Sequence, residues 1–116
     1  MENVMIGIIA ELKAKPGQGD ALLAVMSEAA ALVTAHEPGC LFYEVCRSRS
    51  DADVIKLFEI YADQAALDAH RTTPHFALIG GKLAPLIAAP PQVETLDAIS
   101  GSITPPSEGG TVQRTC

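Results

Sequence analysis

Within eighteen residues, from Glu59 to Phe76 (EIYADQAALDAHRTTPHF), the chain gathers a carboxylate, a phenol and two imidazoles: Glu59, Tyr61, His70 and His75. Imidazoles and carboxylates move protons near neutral pH, and a phenol hydroxyl can orient a ligand. His70 falls in the last turn of a helix, where unpaired carbonyls favour a positive ring. His75 falls in the first turn of the next, where amide donors disfavour one. Two rings biased in opposite directions can divide acid and base work between them. The plainer alternative is that one caps carbonyls and the other lies on a helix surface. Glu59 alternates with Leu57 and Tyr61, so it either enters an apolar enclosure as a carboxyl with a raised pKa or pairs with a base across a sheet. Tyr43 offers a second phenol, which meets a ligand or packs its ring. Glu44, between Phe42 and Cys46, suits a subunit interface as well as it suits catalysis. Phe76, Ile79 and Leu83 are core residues by type. The pair Gly80-Gly81 is costly inside a helical pattern and marks a close helix approach or room left for a ligand.

The rest of the chain limits what that chemistry serves. One domain fits in 116 residues, and an enzyme this small often borrows a wall from a second subunit. A net charge of −6 with basic residues scattered singly leaves no field to hold a phosphate backbone, so nucleic acid is excluded as a partner. Met1 is followed by Glu2, and the apolar run from Val4 to Ala10 soon meets Glu11 and Lys13, so a signal peptide is not expected and the reading is cytoplasmic. No run approaches the length of a membrane helix. Cys40 and Cys46 match no zinc or iron-sulfur spacing and read as reduced, structural thiols. No metal site is expected.

These residues need elements to position them. Val4, Ile6, Ile8, Ala10, Leu12 and Ala14 alternate along a first strand. A helix from about Gly19, with Leu22, Met26, Ala29 and Val33 on its apolar side, stops at His36-Glu37-Pro38-Gly39. A strand from Cys40 to about Ser48 carries Leu41, Tyr43 and Val45 on one face and Phe42, Glu44 and Cys46 on the other. The turn residues Arg49 to Asp53 join it as a hairpin to a strand from Val54 to Tyr61. Asp63 is placed to cap a helix through about Arg71, and Thr73-Pro74 to restart it. A last strand spans Gln92 to Ile99. The order β-α-β-β-α-β predicts an α+β, ferredoxin-like split β-α-β sheet with helices on one face. Its other face is apolar enough to require a second copy, giving a homodimer. Residues 1–99 form the expected domain, and 100–116 read as a flexible tail or an arm across a partner.

The segments IAELKAKPGQ, EPGCLFYEV and FEIYADQAALDAHRTTPHF, with a short closing strand after a proline, resemble the antibiotic biosynthesis monooxygenase (ABM) domain family, which includes quinol monooxygenases. The likeness covers roughly Met5 to Leu96. It implies a dimeric α+β barrel that oxidises a small phenol, quinol or anthrone with O2 and needs no metal or flavin cofactor. On that resemblance His70 is the base or phenolate partner, and Glu59 supports a histidine or lines the cavity. Tyr61 and His75 orient the substrate, with Tyr43 and Phe76 also against it. Many members carry tryptophan where this chain has Tyr61. The positions that serve the haem-degrading branch are Ala10, His70 and Gly80 here, which disfavours haem degradation. An isomerase of a phosphorylated signalling dione is similar over the same segment; there His70 and Glu59 would shuttle a proton and Lys82 or Arg71 would meet the phosphate. A third alternative is a non-catalytic dimer that binds a small ligand.

Overall fold

The fold, taken from a computed structural model, is described over residues 4–105. The elements run β1 (Met5–Lys13), α1 (Gly19–His36), β2 (Cys40–Arg47), β3 (Val54–Tyr61), α2 (Gln64–Arg71), α3 (Pro74–Leu83) and β4 (Gln92–Ala98). The strands form one antiparallel sheet in the order β2-β3-β1-β4, which is the ferredoxin-like arrangement that the alternation and turn residues predict. Ala14, expected within β1, instead makes an isolated bridge to Ile87 beyond the strand end. Residues 106–116, most of the expected tail, lie outside the described residues.

The alternation in β1 and β3 sends Ala10, Leu12, Ile55 and Leu57 to the helix side, where they pack with Leu22, Met26 and Ala29 of α1 and Ile79 of α3. A smaller cluster of Ile6, Ile8, Tyr61 and Leu67 lies under α2. On the opposite face Ile9 pairs with Phe58, Phe42 with Ile60, and Gly7 with Leu96. Ile9, Phe42, Phe58 and Leu96 are all exposed there, Phe42 to 39%. Glu44 shares this open face, opposite Phe58.

Side chains fix the ends of the helices. Asp63 accepts the Ala66 amide at 2.9 Å, and Thr73 accepts that of Phe76 at 3.1 Å with Pro74 opening α3. The N-terminus of α1 is held from a distance. Asp53, at the start of β3, accepts the amides of Gly17 and Gly19 at 3.1 and 3.0 Å. Gly17 has φ +80°, and a Cβ on Gly19 would sit 2.1 Å from the Ala52 carbonyl, so both positions need glycine. Asp20, in the first turn of α1, reaches Arg47 at 2.7 Å.

One irregularity matters for the site. Cys40 pairs with Tyr61 and Phe42 with Ile60, so Leu41 is an extra residue, a β-bulge, between two register points. Beyond it Tyr43 pairs with Glu59 and shares the helix-side face.

Candidate active site

Between the sheet and the helices lies a cavity of about 230 Å³. Its walls are mostly apolar: Ala10 and Leu12 from β1, Met26 and Val33 from α1, Leu57 from β3, and Phe76 and Ile79 from α3. Glu59, Tyr43, His70, His75 and Arg71 also line it. Of the six candidate residues named from sequence, five therefore surround one space.

Tyr61 is the exception. Its side chain is wholly buried in the cluster with Ile6, Ile8 and Leu67 and is not among the cavity walls. Its hydroxyl donates to Glu59 Oε1 at 2.6 Å, and its ring lies 5.2 Å from that of His70. Tyr61 thus acts on the site from behind. A buried phenol hydroxyl needs an acceptor, and the residue two positions back on the same face of β3 supplies it.

Glu59 is 7% exposed, and burial pushes its carboxyl above the ordinary value, opposed by the Tyr61 hydrogen bond and the nearby His70. Sequence parity leaves apolar enclosure and ion pairing open; the structure gives the enclosure. Burial likewise raises the phenol of Tyr43, so it stays a protonated donor. Burial pushes the Cys40 thiol up to about 11, which keeps it un-ionised, and both Cys40 and Cys46 are free.

The two histidines do not take the separate roles that their helix ends imply. Both reach one carboxylate, that of Glu37 at the C-terminal end of α1. His70 Nδ1 lies 2.8 Å from Glu37 Oε1 and 3.1 Å from Oε2, and His75 Nε2 is hydrogen-bonded to Oε2. All three side chains are nearly closed off from solvent. Neither ring caps a helix end or lies on a surface. The Thr73 hydroxyl donates to the His70 carbonyl at 2.9 Å while accepting the Phe76 amide, so the break between α2 and α3 holds the two imidazoles at a fixed spacing. Phe76 meets His70 edge to face with centroids 5.1 Å apart.

Glu37 is the site residue that sequence reasoning missed. A signal was available: an acid in the last turn of a helix faces the negative end of the dipole, so a role away from that helix is called for. Gly39 sets the distance. A Cβ there would lie 2.7 Å from that of Ala66, so only glycine lets α2 approach closely enough for His70 to meet Glu37. At Gly80 and Gly81 an added Cβ would meet nothing within 4 Å, so this pair is open space, with Gly80 on the cavity wall.

Lys82, a candidate for binding a phosphate, is paired with Glu28 at 2.8 Å. Arg71 makes no ion pair among the described residues. Among those residues, too, no helix is long and apolar enough to cross a membrane.

A model of the family described as antibiotic biosynthesis monooxygenase matches residues 5–79, which includes β1 through most of α3 and with them Glu37, Tyr43, Glu59, Tyr61, His70, His75 and Phe76. The chain belongs to the antibiotic biosynthesis monooxygenase family. Within and around that family, a crystal structure from Caulobacter crescentus, named a putative antibiotic biosynthesis monooxygenase, is 39% identical. It covers 84% of this chain and 92% of its own, with a TM-score of 0.80. A Mycobacterium tuberculosis protein named a putative monooxygenase is 31% identical over 91 residues, 78% of this chain and 88% of that one. An uncharacterised Synechocystis protein is 28% identical over 77% of this chain, which spans only 60% of that relative's length. The fold is therefore common to this chain and the Caulobacter structure, and most of the cavity lining lies within the matched region.

Proposed function

We propose that this family member is a cofactor-independent monooxygenase acting on a small phenol, quinol or anthrone-like aromatic, with His70 as the base. The observation that carries the reading is the convergence of His70, Glu59, Tyr43, His75 and Phe76 on one largely apolar cavity. A phenol entering it loses its proton to His70 Nε2, the ring nitrogen left without a protein partner among the described residues. The apolar walls exclude water from the electron-rich phenolate. Tyr43, and Glu59 in its neutral form, face it as hydrogen-bond donors. The phenolate passes one electron to O2, and superoxide and the carbon radical combine into a peroxide at the para carbon. Loss of that carbon's hydrogen as a proton breaks the O–O bond. One oxygen stays as a quinone carbonyl and the other leaves as water, so phenol plus O2 balances quinone plus water.

The working unit in this reading is a homodimer. Ile9, Phe42, Phe58 and Leu96 form an apolar face that a second sheet would cover. The free thiols accord with a reducing, cytoplasmic setting. Oxygen uptake over a panel of quinols and anthrones tests the activity; no uptake above the uncatalysed rate with any of them would sink it.

A second reading rests on Arg71, the cavity-lining cation without an ion pair among the described residues. With His70 and Glu59 as proton carriers, it accommodates proton transfer between adjacent carbons of a phosphorylated dione. Deuterium exchange into such a dione without O2 uptake would favour it.

A further inference from the structure

We propose that Glu37 is the positioning residue of this site, a single carboxylate that fixes His70 as the Nδ1–H tautomer and so presents an unprotonated Nε2 to the cavity. The inference rests on His70 being the base in the reading above. An ionised carboxylate only accepts hydrogen bonds, so each ring nitrogen that faces Glu37 carries a hydrogen. For a neutral His70 this leaves the lone pair on Nε2, the atom a base requires. Both Glu37 oxygens lie within bonding distance of His70 Nδ1, which fixes the ring's position as well as its tautomer.

The placement works against the stability of α1. A carboxylate at the negative end of a helix is unfavourable, and its side chain is only 8% exposed. Two imidazoles from two other helices compensate it. His75 acts as the second arm: by occupying Oε2 it stops the carboxylate from rotating away from His70. The Thr73 link between α2 and α3 ties the two arms together. Glu37 touches no cavity-bound molecule in this scheme, since it is not among the cavity walls.

The test is imidazole nitrogen NMR on the full-length chain, with oxygen uptake measured in parallel. In the wild type, His70 is expected to show one tautomer, protonated at Nδ1. Glu37→Leu removes the acceptor and is expected to convert that signal to a mixture or to the Nε2–H form. It should lower kcat at least about tenfold while KM stays within about twofold. Glu37→Gln offers one acceptor oxygen in place of two and keeps the volume, so at least one of the two ring signatures should change even if the leucine variant does not fold. Glu37→Asp should restore part of both. Unchanged signatures for both rings in either folded variant would overturn the proposal. If the wild type turns over no quinol or anthrone, the functional reading fails, while the ring signatures still decide the role of Glu37.

Discussion

The phenol of Tyr61, wholly buried, donates to Glu59 Oε1 across 2.6 Å, and this bond joins the packed core to the cavity wall. Removing it leaves a buried carboxyl without its donor. Tyr61→Phe is expected to lower stability by about 1–3 kcal/mol, the usual cost of an unsatisfied buried polar group. Urea unfolding at neutral pH measures it. A change below the error of the method would mean that the cavity already supplies Glu59 with another partner.

Glu59 itself makes stability depend on pH. Because burial raises its carboxyl above the reference value of 4.5, the folded state holds the proton more tightly than the unfolded chain. That contribution is fully present below the unfolded value and is lost as pH rises through the higher folded one. Glu59→Gln, which stays neutral and still accepts from Tyr61, should therefore gain on the wild type as pH rises. Unfolding midpoints at about pH 4 and about pH 8 check the sign; a variant that loses stability relative to the wild type between the two would contradict it.

His70→Ala is expected to reduce turnover of a verified quinol by about 100-fold or more, the lower range for losing a general base, with the fold retained. An oxygen electrode and circular dichroism suffice. Full oxygen consumption by the variant would remove His70 from the mechanism.

Two glycines make opposite predictions. At Gly39 a methyl would lie 2.7 Å from Ala66 Cβ, so Gly39→Ala should cost about 1–3 kcal/mol as overpacking and push α2, with His70, off Glu37. At Gly81 a methyl meets nothing within 4 Å, so Gly81→Ala should stabilise α3 by about 1 kcal/mol. Thermal melts of both variants, with turnover beside them, separate close packing from open space.

Phe58→Glu puts a charge in the middle of the open apolar face. If two copies cover that face, sedimentation should show the variant shifted to monomer while its own sheet stays folded. A wild type that sediments as a monomer would remove the dimer from the reading.

The strands and the starts of α2 and α3 were legible because each is governed by neighbours in sequence: alternation for Ile6 to Leu12, the carboxylate of Asp63, the hydroxyl of Thr73 followed by Pro74. That order placed Glu59, His70 and His75 on neighbouring elements but left open whether they meet in one cavity. What stayed hidden depends on distance in the chain. Asp53 holds the start of α1 from the far end of a hairpin, and Glu37 meets His70 across 33 residues because Gly39 lets two backbones approach. Strand parity also left the surroundings of Tyr61 open, since it gives a side chain its face but not its depth. Only packing shows that this phenol lies behind the cavity wall.

The extra residue at Leu41 has a consequence for how such a pocket can change over generations. The stretch beyond it is registered from the hairpin turn, so removing Leu41 would leave Phe42 opposite Ile60 and Tyr43 opposite Glu59 and would make the pairing from Cys40 onward regular. A single-codon deletion of the extra residue would straighten the strand without exchanging the aromatic side chain in the pocket. The bulge is therefore slack in the chain: this edge can lose a residue while one aromatic neighbour keeps its place in the cavity and the other on the open face.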